Sequence, residues 1–125
     1  MSIVNPLARA RGHGSAKQGV HHWYLQRATA VLLTGLVVWL LYAVNTLSGA
    51  GYESALSFLS SPFNAAAALL LTFAGLYHAM LGLQVVIEDY VHSRGLEIAL
   101  QFVVKGGCYI GMVISTIYIL QIAIA

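Results

Sequence analysis

Charge is scarce in this chain. Glu53, Glu88, Asp89 and Glu97 are its four acidic residues, and with six Lys and Arg they bring the charged fraction to 8% of 125 residues, where a soluble domain carries about 25%. Set beside 59% hydrophobic residues and a mean hydropathy of +0.80, that leaves too little polar surface to cover a soluble globule. Cysteine is nearly absent too: the single Cys108 rules out an intrachain disulfide and any cysteine cluster, and reads as a small apolar packing residue. There is no alternation of the barrel-strand kind, no internal repeat, no low-complexity segment, no flavin fold and no nucleophile constellation. The expectation is a chain that is non-catalytic on its own and works as part of a larger assembly.

What the chain does have is length without charge. Ala28 to Tyr52, Ser54 to Ile87 and Gly106 to Ala125 are charge-free, the last extended upstream across Lys105, and each can cross a hydrocarbon core that takes ~20 apolar residues. Lipid cannot satisfy exposed backbone groups, so all three spans are expected as helices. The fold class is all-α, an integral membrane bundle of three transmembrane helices and part of a larger heteromeric bundle. The expected organisation is a tail over residues 1–21, helices over 22–47, 61–91 and 96–125, a loop at 48–60 and a turn at 92–95. Ser61 and Pro62 suit a helix start.

Charge placement sets the expected orientation. Arg9, Arg11, Lys17 and Arg27 precede the first span while the following loop carries only Glu53, so by the positive-inside rule the N-terminus and the 92–95 turn are cytoplasmic, and the 48–60 loop and C-terminus are periplasmic. The apolar run is too long, and its flanks lack a small-residue cleavage site, for a removed signal peptide. The acid-free start would also suit a mitochondrial transit peptide, although Gly12-His13-Gly14-Ser15 makes a poor amphipathic helix.

One histidine stands deep inside a span. With Glu88 set at the membrane interface, His78 lies ten residues deeper, ~15 Å and close to the midplane, where no other histidine of this chain reaches. Gly75 and Gly82 share its helix face and leave room for a large flat ligand such as a haem edge. Intramembrane ionisable groups mark functional sites, and three readings stand open: haem ligation, a proton relay, or contact with a neighbouring helix. His13, His21, His22 and His92 fall at or beyond the boundary, so a haem with two axial histidines needs a second membrane subunit. At the cytoplasmic rim Asp89 lies below His78 on nearly the same face, with Tyr90 beside it; a phenol next to a carboxylate suits a quinone carbonyl, against the plainer alternatives of a belt aromatic and a solvated helix end. Arg27 and His21 offer positive donors at the same edge, suited to haem propionates, with snorkelling to lipid phosphate as the alternative for Arg27.

Gly19-Val20-His21, then Arg27-Ala28-Thr29-Ala30, then His78-Ala79 with Gly82 leading to Asp89-Tyr90, together with three spans in so short a chain, resemble the hydrophobic membrane anchor subunits of succinate dehydrogenase. The resemblance runs from about residue 19 to the end. It implies a respiratory complex II in which a flavoprotein and an iron-sulfur subunit oxidise succinate, and electrons pass to ubiquinone where the iron-sulfur subunit meets two membrane anchors. By position, His78 resembles the axial ligand of a haem b shared with the cytochrome b subunit, Tyr90 the tyrosine that hydrogen-bonds ubiquinone, and Asp89 its neighbour. Arg27 and His21 would approach the propionates. Further expectations are membrane lipid as a partner, no nucleic acid, and a place in the tricarboxylic acid cycle at the bacterial inner membrane. The competing readings are a fumarate reductase anchor and a small proton-relay or transport subunit.

Overall fold

A computed structural model describes residues 17–124, with side chains from Val20 onward. The chain forms α1 (Lys17–Leu47), α2 (Tyr52–Ser60), α3 (Pro62–Tyr90) and α4 (Arg94–Ile124), with no strand among the described residues. α1 from Val20, α3 and α4 are each long and apolar enough to cross a membrane, as the all-α reading requires. α1 starts at Lys17, inside the segment expected as tail; residues 1–16 of that tail lie outside the described residues. The expected 48–60 loop carries α2, a nine-residue helix that follows Gly51 and ends at Ser60.

Local chemistry sets the ends. α1 stops where Gly49 takes φ +77, the left-handed conformation that glycine reaches at no steric cost, and the Ala50 N–H donates to Leu47 O at 3.0 Å. α3 opens on Pro62 in its first turn, where the missing N–H costs nothing. Ser61 takes the cap position in extended conformation with its side chain unused; its carbonyl instead accepts from Ala65 N–H at 2.9 Å. α4 begins at Arg94, earlier than the glycine turn suggested, because the Ser93 carbonyl accepts from Glu97 N–H at 2.8 Å.

α3 is the middle of the molecule, flanked by α1 on one side and α4 on the other, while α2 packs on α3 and α4. Small residues bring the axes together. Gly111 of α4 lets Leu76 of α3 approach so closely that a Cβ there would stand 3.3 Å from Leu76 Cδ1. Ala65, Ala67 and Ala74 are buried along α3. At the far end Trp39 Nε1–H donates to Asn64 Oδ1 at 3.1 Å, Asn64 Nδ2–H donates to Phe58 O at 2.9 Å, and the Trp39 and Phe58 rings stack with centroids 6.3 Å apart. This ties α1, α2 and α3 into one corner.

The buried core is thin: among the described residues, nine apolar ones from Leu36 to Met112 are buried. Val31, Leu41, Phe102, Ile110 and Tyr118 stay exposed on the outer faces. Apolar surface of that extent has to meet lipid or other helices.

Candidate functional site

His78 is half-buried in the α1–α3 seam, and its ring is clasped by α1. Thr29 Oγ1 lies 2.9 Å from Nδ1, and Gln26 Nε2 lies 3.4 Å from Nε2. This chain therefore offers the imidazole partners at its own depth: Gln26 and Thr29, one helical turn apart on α1, face it together. Thr29 is well held, since its hydroxyl also reaches Leu25 O at 2.8 Å. Gln26 is not, because its Oε1 is buried and meets no hydrogen-bond partner, an arrangement that costs about 1–3 kcal/mol.

The same contacts correct the depth. Gln26 and Thr29 bracket Arg27, the last charge on α1, so His78 stands at the level where the charge-free run begins. Ala28 to Leu47, Pro62 to Leu81 and Lys105 to Ile124 are each about 20 residues, or ~30 Å, the thickness of one hydrocarbon core. Such a slab places His78 within about a turn of its charged edge, not at the midplane. Taking Glu88 as the interface placed the histidine too deep, because all three helices continue past the slab: α1 back to Lys17, α3 on to Tyr90, α4 back to Arg94, ~13–16 Å each at 1.5 Å per residue. On that extension Gln101 Nε2–H donates to Glu88 Oε1 at 3.3 Å across α3 and α4.

The two glycines beside the histidine face α1. A Cβ on Gly75 would come 4.0 Å from Leu33 Cδ2, and one on Gly82 would come 3.6 Å from Gln26 Nε2, both ordinary contacts. Neither glycine is demanded by packing within this chain.

The other candidates stay apart. Arg27 is exposed, its guanidinium 5.2 Å above the Trp23 ring, a cation–π contact that pre-orients the fork. His21, also exposed, is six residues away and about 120° around the helix from Arg27. Asp89 and Tyr90 are exposed at the end of α3, and twelve residues put Tyr90 ~18 Å along the axis from His78. Within this chain the rim pair and the histidine do not form one pocket.

An apolar groove of about 520 Å³ runs between α3 and α4, with Tyr77, Tyr109 and Thr116 in its wall. A smaller one of about 250 Å³ shares Tyr77 and reaches Thr29 on α1. His78 lines neither groove; Thr29, its partner on α1, lines the smaller one. Among the described residues no three His, Cys, Asp or Glu come together to hold a metal ion, so His78 offers a single ligand. A haem axial position asks for just that: one ring nitrogen tied to a neighbour and the other holding a lone pair. The residues present fit the group.

A proton relay would need polar groups continuing to the far end. Thr72 turns back to Ala68 O at 2.9 Å, and Asn64 is occupied by Trp39 and the Phe58 carbonyl. No line of free side chains continues from His78 along α3.

Gln26 and Thr29 escaped the sequence reading. The available signal was a Gln and a Thr three apart at the start of an apolar run, on one helix face.

Three membrane-length helices around a thin core, with an imidazole clasped at the charged end and wide apolar faces, make a small helical membrane subunit. Residues 1–117 match the family described as succinate dehydrogenase/fumarate reductase transmembrane subunit. A hydrophobic membrane anchor subunit of succinate dehydrogenase from Rickettsia conorii is 40% identical over 108 residues, 86% of each chain. The corresponding subunit from Paracoccus denitrificans is 30% identical over 86% of this chain and 83% of its own, and a succinate dehydrogenase membrane anchor subunit from Reclinomonas americana is 32% identical over 71% and 77%. The chain belongs to the succinate dehydrogenase/fumarate reductase transmembrane subunit family, as a membrane anchor.

Proposed function

We propose that this chain is one of two membrane anchors of a succinate:ubiquinone oxidoreductase in the bacterial inner membrane. It holds haem b through His78 jointly with a cytochrome b anchor subunit, and it completes the ubiquinone site with Tyr90 and Asp89. The observation that carries the reading is the His78 ring, with Nδ1 well bonded to Thr29 and Nε2 met only by a 3.4 Å contact from Gln26. An imidazole left that way has coordination to offer. When bound, haem b supplies a one-electron store between the iron-sulfur centres and the quinone.

The chain's own residues do the rest. Arg27, pre-oriented on Trp23 at the level of His78, presents two parallel N–H donors to a propionate carboxylate, and His21 lies one to two turns further toward the aqueous side. The Tyr90 hydroxyl donates to a quinone carbonyl, and Asp89 orients that hydroxyl and passes protons from water. Both side chains are exposed here, which suits a pocket whose other wall belongs to partner subunits. The helix ends that extend past the slab give the iron-sulfur subunit, and the flavoprotein beyond it, a platform to sit on. The excess of Lys and Arg before the first span puts this platform in the cytoplasm. Succinate oxidation in the tricarboxylic acid cycle is favoured over fumarate reduction because the relatives named above are succinate dehydrogenase subunits.

The test is the visible spectrum of the purified membrane complex. A reduced b-type band is expected, and it is lost in His78→Ala while the four subunits remain in wild-type ratio. A band that survives His78→Ala would refute the haem assignment.

A further inference from the structure

Thr29 locates the proton on the His78 ring. A threonine hydroxyl has one hydrogen, and Thr29 Oγ1 is 2.8 Å from Leu25 O, 3.1 Å from Gln26 O and 2.9 Å from His78 Nδ1. The carbonyls can only accept. Helical threonines commonly donate to the carbonyl four residues back, and that is the shortest of the three contacts, so the hydrogen goes to Leu25 O and the oxygen keeps its lone pairs for the ring. Thr29 accordingly accepts from Nδ1–H.

The opposite edge is compatible with this. A neutral imidazole has one ring proton; with that proton on Nδ1, Nε2 is the acceptor, and the Gln26 amide faces it at 3.4 Å.

The two neighbours differ in how firmly they hold. Thr29 is anchored to its own helix. Gln26 makes a long contact, leaves its Oε1 buried without a partner, and stands beside Gly82, where no side chain confines it. We propose that Thr29 is the positioning residue that fixes His78 as its Nδ1–H tautomer with Nε2 presented to a metal, and that the Gln26 amide is a displaceable stand-in which yields Nε2 to haem iron.

The inference rests on the haem reading and deepens it. Metal-bound histidines donate their other ring N–H to an acceptor that sets tautomer and ring angle, and removal of such an acceptor costs about 10–100-fold in metal affinity. Thr29 has that geometry before any metal is present. Gln26 does not: an amide donor at Nε2 competes with the iron for the same lone pair.

The experiment uses the assembled complex carrying Thr29→Val, Thr29→Ser or Gln26→Leu, and reads haem retention against excess apomyoglobin together with the haem midpoint potential. Thr29→Val keeps the shape and loses the acceptor; it should hold haem about 10–100-fold less tightly and shift the potential. Thr29→Ser, which keeps the hydroxyl, should restore both, and Gln26→Leu should hold haem at least as tightly as wild type. Should the valine variant fail to assemble, Thr29→Ala carries the same expectation. Wild-type retention in Thr29→Val or Thr29→Ala, no rescue by serine, or haem loss in Gln26→Leu equal to that in Thr29→Val would overturn the assignment. A b-type band in wild type that His78→Ala leaves untouched would instead remove the haem reading itself, and this inference with it.

Discussion

Replacing Asn64 with alanine should loosen the far end of the bundle by about 1–3 kcal/mol. The side chain makes two hydrogen bonds, accepting from Trp39 Nε1–H at 3.1 Å and donating to Phe58 O at 2.9 Å. Interhelical side-chain hydrogen bonds inside membrane proteins average ~0.6 kcal/mol and reach ~1.7, so two of them give that range. Trp39→Phe separates the terms. It removes the indole N–H while leaving a ring to stack on Phe58, whose centroid is 6.3 Å from that of Trp39, and should cost about 0.6–1.7 kcal/mol. Because Trp39→Phe and Asn64→Ala break one shared bond, the double variant should be less destabilised than the sum by about the same amount. Unfolding of the full-length chain in lipid bicelles by steric trapping supplies the four free energies. Strict additivity, within about 0.3–0.5 kcal/mol, would refute the Trp39–Asn64 bond and with it the corner that places α2.

Gly111→Leu should cost about 1–3 kcal/mol in the same assay, because a Cβ alone already stands 3.3 Å from Leu76 Cδ1; wild-type stability would show that α3 and α4 do not meet there. Gly49→Val should cost about 1–2 kcal/mol through its φ of +77, with Gly49→Asn better tolerated, and equal stability of the two variants would exclude a left-handed stop after α1. Tyr90→Phe in the assembled complex should impair ubiquinone reduction and spare succinate oxidation by an artificial acceptor. Equal loss of both activities would mean an assembly defect.

The spans were legible because charge marks them: Arg27, Glu53, Glu88 and Lys105 punctuate a sequence that is otherwise apolar, and helix is the only form such runs take in lipid without closing a barrel. α2 was not, since Tyr52–Ser60 is too short to cross a core and forms where Phe58 can stack on Trp39 and lie tilted against Tyr42, tertiary contacts that no local pattern announces. The depth of His78 was misjudged for a related reason. Hydropathy alone does not say which charge sits at the interface, and Arg27 became the marker only once Gln26 and Thr29 were found against the imidazole. The histidine itself stood out as the one imidazole deep inside a span. Its partners did not, because the face that α1 turns to α3 depends on packing: Thr29 reads as one more helix residue until the ring is placed beside it. Tyr90 and Asp89 were noticed for their chemistry, and both stand exposed at the end of α3, where the proposed quinone pocket would take its other wall from partner subunits.

Iron bound by an imidazole nitrogen of this chain, as proposed, carries a spectroscopic signature. Rebuilding the complex with 15N-histidine in this subunit only, and recording pulsed electron paramagnetic resonance of the ferric haem, reads it. One 15N axial coupling, absent in His78→Ala, is the predicted result; a haem signal showing only 14N axial couplings would contradict it, because both ligands would then come from elsewhere.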